Sequence, residues 1–129
     1  MPDPGILSAN HTCYIVSSLD RSIALFEQVL GLTATAKAVR AEPMTQNTTG
    51  AKGAKGAKGA DVIIVYLSGP NHSIELAEYL DPSGRSSVMP RPCAIRPAHT
   101  ALNIADIDSV VESAAEFDVS PIGEITTVG

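Results

Sequence analysis

Tryptophan is absent, and the aromatic residues are limited to Phe26, Phe117, Tyr14, Tyr66 and Tyr79. With so few rings, a core must be built mainly from Val, Ile, Leu and Ala. Positive charge is short too: 9 Lys and Arg stand against 14 Asp and Glu, for a net charge of −5. That balance excludes a nucleic-acid partner, because phosphate recognition needs clustered basic residues. No apolar run approaches the roughly 20 residues of a membrane-spanning helix. The opening MPDPGILSANH has no basic stretch followed by an apolar one, so no secretory leader and no membrane partner are expected. Cysteine is limited to Cys13 and Cys93. They could pair in principle, but without an export signal they read as free thiols of a reducing compartment. These shortages leave a mildly acidic, cytoplasmic chain of 129 residues, expected to form one domain. Its hydrophobic content of 44% and charged content of 18% set it apart from disordered sequences.

What is present reads in segments. Residues 11–16 (HTCYIV) predict a strand with His11, Cys13 and Ile15 on one face and Thr12, Tyr14 and Val16 on the other. Ile23, Phe26 and Leu30 then follow helical spacing, with Ser18 or Asp20 as N-cap and Gly31 just past the end. A further strand is expected over 32–42. From Gly50 to Lys58 the triplet Gly-Ala-Lys occurs three times in succession. Glycine at every third position argues against a helix, and the stretch reads as a solvated loop. Its lysines Lys52, Lys55 and Lys58 leave a second reading open, a basic loop touching an anionic ligand.

Residues 61–69 (DVIIVYLSG) form a continuous apolar run that predicts a buried strand, closed by a turn at Gly69-Pro70-Asn71. Residues 72–80 are its hairpin partner, with Glu75, Ala77 and Tyr79 on one face and Ile74, Leu76 and Glu78 on the other. Glu78 and His72 are expected to face solvent. Residues 81–97 hold four of the nine prolines and read as a linker. A strand over 99–104 and a second helix capped by Asp106 follow, with at most one more strand near the end.

Two of these stretches run in step. HTCYIVSSLDRSIALFEQVLG from His11 and HTALNIADIDSVVESAAEFDV from His99 share His, Thr and Asp (Asp20 with Asp108) at an offset of 88. Val16 meets Ile104, Leu19 meets Ile107 and Ile23 meets Val111, with no gap. Two strand–helix units in matching register imply a duplicated module, and pairing two such modules buries the bare face of each sheet.

The order of motifs is specific. A His-led strand, a helix carrying Asp20, Ser22, Leu25 and Phe26 and ending in Leu30-Gly31, and a strand reading Ile74-Glu75-Leu76-Ala77-Glu78-Tyr79 are followed by a second His-led strand and the acidic helix start Asp106-Ile107-Asp108. From His11 to about Gly123 the chain resembles the vicinal-oxygen-chelate superfamily of glyoxalases, bleomycin-resistance proteins and extradiol dioxygenases. The resemblance implies an α+β fold of paired βαβββ modules: a first module over about 9–80, the linker over about 81–97, and a partial second module over about 98–129. It also implies one divalent metal ion (Zn, Ni, Co, Mn or Fe) held by His11, Glu75 and His99, a two-His, one-carboxylate set with positions left for a bidentate ligand. A single histidine at a strand start is ordinarily a surface residue. Its recurrence at the equivalent place of a repeat is what raises His11 and His99 above that. The small Ala77 beside Glu75 leaves room for a ligand.

The equivalent of Glu75 in the second module falls beyond Gly129, so the second module is expected to lack its last strands and a fourth, carboxylate ligand. An unpaired sheet edge there would favour a homodimer. Tyr14, Arg91 and Arg96 are the candidate contacts to a small-molecule substrate, although charged linker residues are usually just solvated. The implied activity is that of a metal-dependent lyase or isomerase of the lactoylglutathione lyase or acyl-CoA epimerase type. Extradiol dioxygenation and metal-free antibiotic binding are the alternatives.

Overall fold

The structure, a computed structural model, describes residues 5–40, 62–80, 91, 93, 95 and 97–127. The Gly-Ala-Lys stretch and Arg96 lie outside the described residues. The chain divides into two compact units, Met1–Ser83 and Gly84–Gly129. Its class is α+β. The first unit carries strand β1 (His11–Ile15), helix α1 (Leu19–Gln28), the short strands β2 (Thr33–Ala34) and β3 (Ala38–Arg40), and the hairpin of β4 (Val62–Ser68) and β5 (Ser73–Tyr79). The second unit carries helix α2 (Ile107–Ala115).

Strand order is β1-β5-β4-β2, with β3 also on β4. Strand β4 is the apolar run, and the alternation within β5 decides what lies on each side of the sheet. Val65, Leu67, Ile74 and Leu76 pack with Leu19 of α1 into the main core, joined by Tyr14, Val16, Ile23 and Phe26. Leu67 and Leu76 are 0% exposed. A smaller cluster of Val62, Ile64 and Ala77, flanked by Ala38, Tyr66 and Tyr79, covers part of the opposite side. Strand β1 lies parallel to β5, with Cys13 opposite Glu75 and Ile15 opposite Ala77. A parallel pair cannot be closed by a tight turn, and here the connection is the crossover through α1 and the strands that follow it.

Helix α1 starts at Ser18, whose hydroxyl accepts from the Arg21 N–H. Glu78, expected to face solvent, instead reaches up from β5: its carboxylate accepts the Leu19 N–H at 2.7 Å. The first-turn amides of a helix have no intrahelical partner, and a carboxylate there also meets the positive end of the helix dipole. His72, likewise expected to be exposed, is half-buried, with Nε2 2.9 Å from the Thr12 hydroxyl. Past the helix, Gly31 adopts φ +67°, its N–H donates to Glu27 O, and the Leu32 N–H reaches back to Phe26 O. In the hairpin turn a Cβ on Gly69 would sit 3.1 Å from Leu32 Cδ2, a close approach that favours glycine.

The single strand expected over 32–42 is broken in two. Thr33 and Ala34 pair with Ser68 and Leu67, whereas Ala38, Val39 and Arg40 pair with Ile64, Ile63 and Val62. Three residues, Thr35, Ala36 and Lys37, therefore oppose two, Val65 and Tyr66. The register slips by one through a β-bulge. Thr35 holds it: its N–H donates to Tyr66 O at 2.8 Å and its hydroxyl accepts the Tyr66 N–H at 3.0 Å. Lys37 forms an ion pair with Asp20 of α1.

In the second unit α2 begins 88 residues after α1, at Ile107 against Leu19, and the N-caps Asp106 and Ser18 keep the same offset. The helical half of the repeat is thus realised. Asp106 accepts from the Ser109 hydroxyl at 2.7 Å and the Ser109 N–H at 3.1 Å. Those bonds hold its carboxyl below the ordinary value of 3.8, so the cap is kept at neutral pH and lost only as pH falls through that lowered value. The strand expected over 99–104 is not formed, and Leu102 and Ile104 are exposed. Strand β1 is a strand because β5 bonds it along its length. Among the described residues of the second unit no strand offers 99–104 that ladder.

Replacing Leu76 with Ala should lower the urea stability of the first unit by about 2–5 kcal/mol, the cost of a fully buried cavity. Glu78→Ala should cost about 1–2 kcal/mol through loss of the helix cap, and Glu78→Gln less, since an acceptor remains. Equal, negligible shifts in the urea midpoint for both Glu78 variants would show that the cap contributes nothing.

Candidate functional site

Parallel pairing of β1 with β5 gathers one polar group on the side of the sheet away from α1. His11 Nε2 lies 3.5 Å from Glu75 Oε2, with 33% of the histidine side chain and 14% of the glutamate side chain exposed. On the other edge of the imidazole, Nδ1 is 2.6 Å from Asn10 Oδ1. An amide oxygen only accepts, so Nδ1 carries the proton and Nε2 presents its lone pair to the carboxylate in the neutral ring. A hydrogen-bonded histidine thus faces a carboxylate, two side-chain types that can ligate divalent metals.

Two further residues join the pair. The Tyr66 ring meets the His11 ring edge to face, with centroids 5.3 Å apart and planes at 80°. Cys13, directly opposite Glu75 in the parallel ladder, has a thiol pushed up to about 12. Lost hydration around the sulfur is the larger cause, and the Glu75 carboxylate adds to it by accepting the thiol hydrogen and repelling a thiolate. The residue as a whole is nonetheless exposed, so the thiol is shielded on its Glu75 side rather than entombed. Cys93 is also exposed and unpaired with Cys13, as expected of free thiols.

The other sequence-derived candidates lie elsewhere. Tyr14 sits on the α1 side of the sheet, packed against the main core, opposite in direction to His11 and Glu75. Arg91 and His99 are exposed residues of the second unit, in segments with no helix or strand. Among the described residues no three His, Cys, Asp or Glu side chains converge as a metal-binding group. Within the first unit the structure brings His11 and Glu75 together. Tyr66 and Cys13 escaped the sequence reading, although the signal for Tyr66 was there. The four-residue turn pairs Ser68 with Ser73, and counting back from it sets Tyr66 opposite Glu75.

The sheet carries His11 and Glu75 on one face and α1 on the other, the α+β layering that the motif order implied. The sequence agrees: residues 10–129 match the glyoxalase/bleomycin resistance protein/dioxygenase superfamily, and the chain belongs to it. Members of that superfamily generally use a divalent metal and act on small molecules. Among curated proteins the chain is 28% identical over 130 residues to a 2-epi-5-epi-valiolone epimerase of an Actinomyces species, covering 97% of this chain and 67% of that protein. Among solved structures it resembles a glyoxalase family protein from Bacillus cereus, with a TM-score of 0.76 and 22% identity, over 100% of this chain and 84% of the other. The first likeness supports an isomerase- or lyase-like role at the level of the family, and the second the fold. No helix among the described residues is long and apolar enough to cross a membrane.

In chelator-treated protein at pH 8, Cys13 should react with iodoacetamide well below the rate of an ordinary exposed thiol, because so little thiolate is present. Glu75→Gln should speed the reaction by removing the repelling charge. Peptide mapping of the alkylated protein reads both rates, and a Cys13 rate unchanged by Glu75→Gln would exclude the carboxylate as a cause.

Proposed function

We propose that this chain is a metal-dependent epimerase or isomerase that moves a proton at a carbon next to a carbonyl, on a small polyoxygenated substrate of which a cyclic keto-polyol is the leading example. The observation that carries the reading is the His11–Glu75 pair, with a protonated Nδ1 and a lone pair aimed at a carboxylate across 3.5 Å. The epimerase relative directs the choice of reaction and substrate class.

In this reading His11 and Glu75 hold the ion, one of Zn, Ni, Co, Mn or Fe, and His99 is the third ligand. When bound, such an ion supplies Lewis-acid polarisation of a substrate carbonyl. The chain's own residues do the rest. Asn10 keeps the His11 ring in the Nδ1–H tautomer. The Glu75 carboxylate is the group placed to accept a proton from the acidified carbon; returning it to the same face gives exchange, and epimerisation needs a second acid that delivers a proton to the opposite face. Ala77 of β5, opposite Ile15 of β1, packs with Ile64 and Tyr66 into an apolar cluster on the same face as Glu75.

The test is proton exchange. Purified protein loaded in turn with each of the five metals and given 2-epi-5-epi-valiolone in D2O should place deuterium at the carbon next to the carbonyl, read by NMR. His11→Ala should abolish stoichiometric metal binding, and Glu75→Gln should cut exchange by at least about a hundredfold, the usual size of a lost acid–base contribution. Failure to retain any metal after loading, together with tight binding of a planar drug, would replace this reading with the sequestering function of bleomycin-resistance proteins. Oxygen uptake with ring opening of a catechol would replace it with dioxygenation.

A further inference from the structure

We propose that Tyr66 is a positioning residue for His11, and that Thr35 holds the Tyr66 main chain from the neighbouring strand. The inference rests on His11 acting as a ligand, as proposed above, and concerns how its ring is kept in place. An imidazole on an edge strand has two torsions to fix. Asn10 is its immediate chain neighbour and can hold one nitrogen, but a bond between adjacent residues leaves the ring plane free to swing. The second restraint must come from across the sheet, and the only ring contact that His11 shows among the described residues is Tyr66, 5.3 Å between centroids with the planes 80° apart. Edge-to-face packing of this kind fixes a relative plane as well as a distance.

Tyr66 is itself held from both sides. On one side β5 pairs it with Glu75, the carboxylate that His11 faces. On the other, Thr35 continues the register of β2 and takes both bonds, donating from its N–H to Tyr66 O and accepting the Tyr66 N–H on its hydroxyl. The extra residue follows Thr35, with Ala36 and Lys37 opposite Val65, so the bulge lies just past Tyr66 on the neighbouring strand. Thr35, Tyr66, Glu75 and Cys13 thus form one row across the sheet, and His11 lies two residues from Cys13 on the same face of the edge strand.

Three full-length variants test this: Tyr66→Phe, Tyr66→Leu and Thr35→Val. In the metal-free protein, the His11 ring-proton resonances should keep their ring-current shift in Tyr66→Phe and lose it in Tyr66→Leu. Co(II) titration should give wild-type affinity, within about twofold, for Tyr66→Phe and roughly tenfold weaker binding for Tyr66→Leu, the size typical of a lost ligand-orienting contact. Thr35→Val, which keeps the ring but loses the hydroxyl acceptor, should move the His11 resonances part of the way. Unchanged His11 resonances in Tyr66→Leu overturn the proposal. So does Tyr66→Phe behaving like Tyr66→Leu, because the ring would then not be what acts. If Tyr66→Leu does not fold, Thr35→Val decides: a moved His11 ring supports the proposal and an unmoved one overturns it. Should wild-type protein bind no Co(II), the ligand role of His11 fails while the resonance shifts still decide whether Tyr66 orients the ring.

Discussion

Successive side chains of a strand point to opposite faces, and β5 uses that alternation along its whole length. Ile74 and Leu76 point toward α1 and enter the main core, while Glu75 lies on the other face with His11 and Ala77 joins the smaller cluster there. Glu78, from the same strand, caps the helix that the core supports. One register therefore governs both stability and site. A slip of one residue in β5 would carry Glu75 into an apolar core and expose Leu76, and both costs run to several kcal/mol. The burial of Leu67 and Leu76 at 0% exposure sets that register and, with it, the position of the carboxylate.

Much of this was legible in the residues. The apolar run of β4, the alternation of β5 and the spacing of Ile23, Phe26 and Leu30 are local patterns with a physical period, and each became the element it implied. The repeat at an offset of 88 placed the second helix and its Asp106 cap. Two kinds of feature were hidden. One is pairing at a distance: nothing local to HTCYIV says that it docks parallel to β5, which is why the contact of Cys13 with Glu75 went unseen. The other is a defect of register. Thr35, Ala36 and Lys37 are ordinary residues, and only the pairing on either side of them reveals a bulge.

Glu78 and His72 show why polar residues near a turn mislead. Both were read as solvated because carboxylates and imidazoles usually are. Each instead answers an unpaired group: the Leu19 amide at the start of α1, and the Thr12 hydroxyl at the start of β1. The segment 99–104 makes the converse point. It has the composition of a strand but no ladder among the described residues, and β-propensity without a partner does not make a strand. For the site, the pattern located His11 and Glu75 together, while Tyr14 was lost to the core because alternation sends it to the other face.

The parallel pairing of β1 with β5 has a consequence for how the protein is made. The β4–β5 hairpin closes over a four-residue turn and can assemble on its own. Strand β1 must come to it from about 60 residues upstream in the chain, after the loop between them has lost its freedom, and such long-range closures are the slow ones. Glu75 thus belongs to the local hairpin, whereas His11 reaches it only through a long-range pairing. His11 and Glu75 face each other only where that pairing is made, so any ligand that bridges them would bind the paired sheet and favour it over the unpaired chain.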